Sequence, residues 1–345
     1  MSNDPAIKNV LFFLSDQHRQ DTLGCYGNPV VQTPTMDALA ANGVRFTNAV
    51  SPAPTCTPAR ACIQTGRLAH EHGLIFNPEF ARLNGGSMNI ADGIPFFASL
   101  LRDSGYNLAH VGKWHIGDHR EEQSTNLPAT YGYEGVHYPG YGFPSNHPHY
   151  QDYLRGLGLD GFEVRDVIDS TSPYSSQRYA GIQKGGVEAS VPSYLAEQTI
   201  DYLRRFADDA KPFFVSCHFW GPHTPYFLPQ DVYGRYKDED IPVWPNFAAD
   251  LSGKPDVLRR WGRLWGIDTM DERTLSRLIG HYYDYVTHID ECMGRVLDAL
   301  EACGHRDDTL VVYGADHGAS VGSFGMWDKG YGLYENLVNI PLIMS

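Results

Sequence analysis

NVLFFLS at residues 9–15, followed by Asp16-Gln17 and then by TPTMDALAANG at 33–43, is the stretch that sets the fold class. Its first part is a short apolar run without polar alternation, the pattern of a strand covered on both faces. Its last part predicts a helix, with Thr33 placed to cap it, Pro34 fitting its first turn and Gly43 its end. Working outward, the alternation repeats: 44–50 reads as strand, 58–65 as a short helix, 95–104 as a helix ended by Gly105, and 107–111 as strand. Further on, 192–208 is helical, 212–219 an apolar strand, 271–303 a long helix ended by Gly304, 309–313 a strand, and NIPLIMS at 339–345 another. Strands alternating with helices predict an α/β sandwich: a mostly parallel central sheet with helices on both faces. Between about 117 and 190 the pattern fades into Gly, Tyr, Pro and His, typified by YGYEGVHYPGYGFPSNHPHY, and this segment is expected to be an irregular insertion roofing an active site.

Composition narrows the function classes. The chain of 345 residues carries 41 acidic against 27 basic residues, a formal net charge of −14, which argues against a nucleic-acid partner. A small anionic substrate stays compatible, because a few Lys, Arg and metal charges focused in a cleft outweigh the global field. No apolar stretch approaches the roughly 20 residues that cross a bilayer, and MSNDPAIKNVLFFLSDQ lacks the basic segment and apolar length of a signal peptide, so no membrane partner and a cytoplasmic location are expected. Six cysteines, at 25, 56, 62, 217, 292 and 303, show neither a disulfide framework nor paired metal spacing.

Three constellations carry chemistry. Asp16-Gln17 follows the first strand, and ligand sites gather at the carboxyl ends of strands in such sheets, where a carboxylate beside an amide offers two hard oxygen ligands. Asp316-His317 follows the strand TLVVYG in the same way. Two strand ends of this type could meet at one metal: the oxygens suit Ca²⁺, Mg²⁺ or Mn²⁺, and the imidazole admits a transition metal. The third is PTCTPARACIQTGR at 54–67. Cys56 lies at the start of a helix marked by Pro58, near its positive end, and Arg60 lies one turn on, influences that lower a thiol's pKa and make it reactive.

Cys-Thr-Pro-Ala-Arg resembles the C-x-P-x-R signature of the type I, formylglycine-dependent sulfatases of the alkaline phosphatase-like superfamily, and the Thr-Gly-Arg at 65–67 matches its usual extension. SDQHRQDTLGCYGN, GYNLAHVGKWHIG at 105–117, GPHTPY at 221–226 and YGADHGASVGSFGMWDKG at 313–330 follow in family order, so the resemblance spans essentially the whole chain. It implies a single sulfatase catalytic domain over 1–345, with the family's smaller C-terminal region missing. It also implies that Cys56 is converted to formylglycine by a formylglycine-generating enzyme and binds one divalent metal, Ca²⁺ before Mg²⁺ or Mn²⁺, together with Asp16, Gln17, Asp316 and His317. Arg60 would orient the formylglycine hydrate, Lys113 and His115 would stand beside it, Lys329 would hold the sulfate, and His223 would approach the leaving group.

The function so implied is hydrolysis of a small-molecule or carbohydrate sulfate ester to alcohol and inorganic sulfate, with a homo-oligomer open. One hydroxyl of the formylglycine hydrate attacks sulfur, His223 protonates the leaving alcohol, and the second hydroxyl expels sulfate with His115 as base. Many sulfatases carry Asp-Asp and Asp-Asn where this chain has Asp16-Gln17 and Asp316-His317, a set similar to choline sulfatases and phosphonate monoester hydrolases. A phosphonate monoester or phosphodiester hydrolase is therefore the second reading, countered by Gly112-Lys113-Trp114-His115, which the sulfatase branch keeps. A non-catalytic anion-binding pseudoenzyme is a third, countered by the full set of candidate groups.

Overall fold

A computed structural model describes residues 7–118, 125–138, 144–237 and 241–345. The strands are β1 (Asn9–Ser15), β2 (Val44–Arg45), β3 (Asn107–Lys113), β4 (His137–Tyr138), β5 (Val164–Asp169), β6 (Arg178–Gln183), β7 (Phe213–Phe219), β8 (Tyr226–Pro229), β9 (Thr309–Ala315) and β10 (Leu342–Met344). The helices are α1 (Pro34–Ala41), α2 (Cys56–Thr65), α3 (Ala69–His72), α4 (Pro78–Asn84), α5 (Phe97–Asp103), α6 (Pro148–Gly156), α7 (Val191–Ala207), α8 (Asp256–Trp265), α9 (Glu272–Ala302) and α10 (Glu335–Val338).

Because side chains alternate across a strand, the apolar run of β1 needs two apolar layers, and it has them. Leu11 and Phe13 enter one core with α7 and α9, while Val10 and Phe12 pack against a second with α2 and α5. β7 divides likewise, Val215 and Cys217 to the first layer and Phe214 to the second. The main sheet runs β2-β10-β9-β1-β7-β3-β4; β9, β1, β7, β3 and β4 are parallel, and β10 is antiparallel to both neighbours. A smaller sheet, β5-β6-β8, stands apart from it. The expected sandwich, with helices on both faces, is the observed architecture. Among the described residues no helix is long and apolar enough to cross a membrane.

Several local expectations shift for identifiable reasons. Thr33 does not cap α1 with its side chain; its Oγ1 accepts from the Gly24 N–H instead. The α1 N-terminus is capped from a distance by Asp290 of α9, whose carboxylate accepts from the Thr35 and Met36 N–H groups at 2.9 and 2.8 Å. Gly43 serves a close approach, since a Cβ there would meet the Met344 carbonyl at 2.1 Å. The strand expected at 44–50 is only two residues long, with an isolated bridge at Val50. Parts of the 117–190 segment lie outside the described residues, and the rest is more regular than expected, forming β5, β6 and α6, which starts with Pro148 at its first turn. Tyr150 of α6 is fully buried in the main core, so this part of the segment packs as structure.

Candidate active site

The parallel strands end side by side, and the residues that follow them meet at one point. Asp16 follows β1, Asp316 and His317 follow β9, Lys113 closes β3, and Cys56 is the first residue of α2. Asp16, Cys56, Asp316 and His317 are buried, and each offers a ligand atom within 4.8 Å of the others. The Cys56 Sγ stands 3.2 Å from His317 Nε2, 3.7 Å from Asp16 Oδ1 and 3.6 Å from Lys113 Nζ. Gln17 completes the set by a different signal. Its Nε2 donates to Asp328 Oδ1 at 2.9 Å, leaving the buried Oε1 with no hydrogen-bond partner among the described residues. An orphaned amide oxygen beside two carboxylates and an imidazole suits a divalent cation, which would satisfy it.

Charge holds this cluster together. Arg60 reaches both strand ends, its Nη2 donating to Asp16 Oδ2 at 2.9 Å and its Nε to Asp316 Oδ2 at 2.8 Å, and its Nη1 donates to the Lys113 carbonyl at 2.7 Å. Lys113 Nζ lies 2.6 Å from Asp16 Oδ2 and 4.2 Å from the centre of the Trp220 ring. Burial pushes the Asp16 carboxyl up, but the Lys113 ammonium and the Arg60 guanidinium outweigh it and hold it well below the usual carboxylate range. Burial also opposes charge on His317, yet Asp316 and Cys56 push it up to about 9. The His317 Nδ1 donates to the Gly318 carbonyl at 2.8 Å, which turns Nε2 toward the cluster; a cation held there would require the neutral ring.

The other predicted residues stand around the same point. His115 is buried, both its ring nitrogens are unpartnered among the described residues, and burial followed by the Lys113 charge holds it well below its ordinary range, as a neutral base. His223 and Lys329 form a pair, with Nζ donating to Nε2 at 2.6 Å while His223 Nδ1 donates to the Thr224 carbonyl. Burial, then Lys329, lowers His223 to about 3. Gln17, His115 and Asp328 all have positive φ, at 66, 54 and 62°, conformations that bulky residues hold only where surrounding contacts impose them. Gly112, within β3 at φ +100°, lets the neighbouring strand approach closely, since a Cβ there would meet the His218 carbonyl at 2.0 Å.

Two neighbours were not singled out in the sequence. Asp328 links the halves of the site, accepting from Gln17 and pairing with Lys329 at 3.0 Å; its adjacency to Lys329 was the available signal. His218 lies against Arg60, its Nδ1 3.3 Å from Nη1; a polar residue on the inner face of an apolar strand was the signal there. The floor opens into a cavity of about 840 Å³ lined by Cys56, Lys113, His115, His223 and Lys329 and walled by aromatic side chains. Among the described residues of 117–190, Gln177 contributes to that lining.

Comparison with known proteins identifies the family. The sulfatase family profile matches residues 8–345. An arylsulfatase of Clostridium perfringens (strain 13 / Type A) is 30% identical over 340 residues, covering 97% of this chain and 68% of that protein. An uncharacterised sulfatase of Escherichia coli (strain K12) is 27% identical over 344 residues, covering 97% of this chain and 62% of that protein. Among solved structures, a phosphonate monoester hydrolase from Silicibacter pomeroyi superposes with a TM-score of 0.76 at 24% identity, over 98% of this chain and 68% of that one. The chain thus spans roughly two-thirds of the length of the relatives it matches, and the fold is shared with phosphorus as well as sulfur ester hydrolases. A profile match over nearly the full length, in a chain whose signature residues converge on one buried point, shows that this chain belongs to the sulfatase family.

Proposed function

We propose that the chain is a single catalytic domain that hydrolyses a sulfate ester to an alcohol and inorganic sulfate, with a nucleophile made from Cys56. The observation that carries this reading is the buried meeting of Cys56 Sγ with Asp16, Asp316, His317 and Lys113 at the floor of a cavity. Asp16, Gln17, Asp316, His317 and residue 56 would hold one divalent cation, Ca²⁺ first by the oxygen-rich donor set, which when bound supplies Lewis-acid activation and neutralises anionic charge. Formylglycine at residue 56, installed by a formylglycine-generating enzyme, supplies a hydrated aldehyde with one hydroxyl to attack and a second to expel sulfate.

The chain's own residues do the rest. Lys113 and Lys329 aim two ammonium groups into the cavity where the sulfate would lie, and preorganised charge at a developing anion is the largest catalytic contribution of such a site. Arg60 pairs with both Asp16 and Asp316 and holds the two carboxylates in place. His223 is the general acid toward the leaving oxygen once the Lys329 ammonium, which donates to its Nε2, has passed it a proton; that proton goes on to the departing oxygen and leaves Lys329 as the amine. Unpartnered and neutral, His115 serves as base for release of the second hydroxyl's proton.

Gln17 with His317 is also the combination that resembles phosphonate monoester hydrolases, so a phosphonate monoester or phosphodiester is the second substrate reading. The test is protein co-produced with a formylglycine-generating enzyme. We expect the peptide across Cys56 to be about 18 Da lighter than the thiol form and the protein to release sulfate from an aryl sulfate faster than it cleaves aryl phosphonates or phosphodiesters. An unmodified thiol, or a faster reaction at phosphorus, overturns the reading.

A further inference from the structure

Trp220 touches two of the side chains that the proposed reaction uses, and that reaction gives it no part. It is the first residue after β7, is 5% exposed and lines the cavity. Its ring centre lies 4.2 Å from Lys113 Nζ and 5.2 Å from the centre of the His223 ring, with the two ring planes inclined at 45°. One indole thus meets a side chain from the end of β3 and another from the loop between β7 and β8.

The backbone beside this ring is fixed. The Gly221 carbonyl accepts from the Asp16 N–H at 3.1 Å, which ties the chain after Trp220 to the end of β1, and a Cβ at Gly221 would meet the fully buried Tyr285 ring at 2.5 Å. Lys113, by contrast, carries its ammonium on a flexible stem and needs contacts to hold it at one point. Asp16 Oδ2 at 2.6 Å and Cys56 Sγ at 3.6 Å are two of these, and both belong to residues that would also hold the cation. The indole is the contact that the cation would not share. An ammonium is drawn to such a ring most strongly where water is kept away, and Lys113 is 1% exposed.

We propose that Trp220 is a positioning residue for the reaction: its ring holds the Lys113 ammonium where the sulfate would lie and sets the approach of the His223 imidazole to the leaving oxygen. It acts through these two side chains and not by packing on the alcohol part. This rests on the sulfate-ester reading of the site. The experiment takes formylglycine-bearing wild type, Trp220→Phe and Trp220→Leu, and measures kcat and KM for 4-nitrophenyl sulfate and glucose 6-sulfate together with calorimetric binding of inorganic sulfate, which has no alcohol part. In Trp220→Leu kcat falls about 10- to 30-fold on both esters and sulfate binds more weakly, the range for a desolvated cation–π contact. Trp220→Phe, which keeps an aromatic face, recovers kcat to within about fivefold of wild type. A loss confined to KM for one ester, with sulfate binding unchanged, is packing on the alcohol part and overturns the proposal; so does an equal loss in the Phe and Leu variants. Should Trp220→Leu fail to fold, as read by circular dichroism, Trp220→Met takes its place. If wild type releases sulfate from neither ester, the sulfate-ester reading falls by itself. Sulfate binding then decides on Trp220: weaker binding in Trp220→Leu with recovery in Trp220→Phe supports it, and equal or absent binding overturns it.

Discussion

At the floor of the cavity Asp16, Cys56, Arg60, Lys113, Asp316 and His317 are each at most 1% exposed, while on its wall Phe76, Phe80 and Tyr331 are 41, 39 and 49% exposed. The floor is built from the ends of parallel strands and the start of α2, and its ion pairs run between elements, Arg60 to Asp16 and Asp316 and Lys113 to Asp16. The wall comes from the short helix α4, from α8 and from the loop after β9, and it is rich in partly exposed aromatic side chains. Chemistry that tolerates little displacement sits on the rigid sheet, and recognition sits on segments that can vary without disturbing it.

The sharpest way to break this division is at the nucleophile. Cys56→Ala should lower sulfate release from an aryl ester by about 10⁴-fold or more while leaving the circular dichroism spectrum and the unfolding transition close to wild type, because the Asp16–Arg60–Asp316 bracing does not pass through the sulfur. Arg60→Met tests the bracing itself. It leaves two fully buried carboxylates short of their shared partner and should cost about 3–5 kcal/mol in denaturant unfolding, a loss no wall substitution approaches.

Asp328→Asn sharpens the boundary, because Asp328 touches both Gln17 on the floor and Lys329 on the wall side. Loosening both should lower metal affinity, read by chelator titration, by about 10- to 100-fold with the fold intact. The smallest effect concerns pH. His110, fully buried with Nδ1 3.0 Å from Ser216 Oγ, is held well below its ordinary range by burial, then by His137 and Arg60. Near pH 6.5 the unfolded chain protonates this ring and the folded chain does not, so the unfolded state binds more protons and stability falls as pH falls from about 6.5 toward 5. His110→Gln should make that decline shallower by up to about 1.4 kcal/mol per pH unit, measured by denaturant unfolding across the window.

Much of the fold was legible because its elements are local. The apolar runs of β1, β7 and β9, the helix of α9 and its stop at Gly304, where φ is +78°, follow from residues close in sequence. The two-residue β2 and the regular structure within 117–190 were not, because strand pairing overrides propensity there and Gly, Tyr and Pro mask the underlying pattern. In the candidate site, Asp16, Cys56 and Asp316 declared themselves by chemistry at strand or helix ends, whereas Trp220, next after an apolar strand, reads in sequence equally well as core.

By itself the sequence determined the alternation of strands and helices, the two apolar layers that a fully buried strand requires, and the reactive residue types placed where strands stop and a helix begins. Tertiary structure alone decided that Gln17 would be aimed by Asp328, 311 residues away, that Asp290 would cap α1 from across the fold, and that Trp220 would meet both Lys113 and His223. The reason is physical: periodicity and capping depend on neighbours within a turn or a pleat, while the order of strands in the sheet and the docking of loops over its carboxyl edge are set by burial summed over the whole chain.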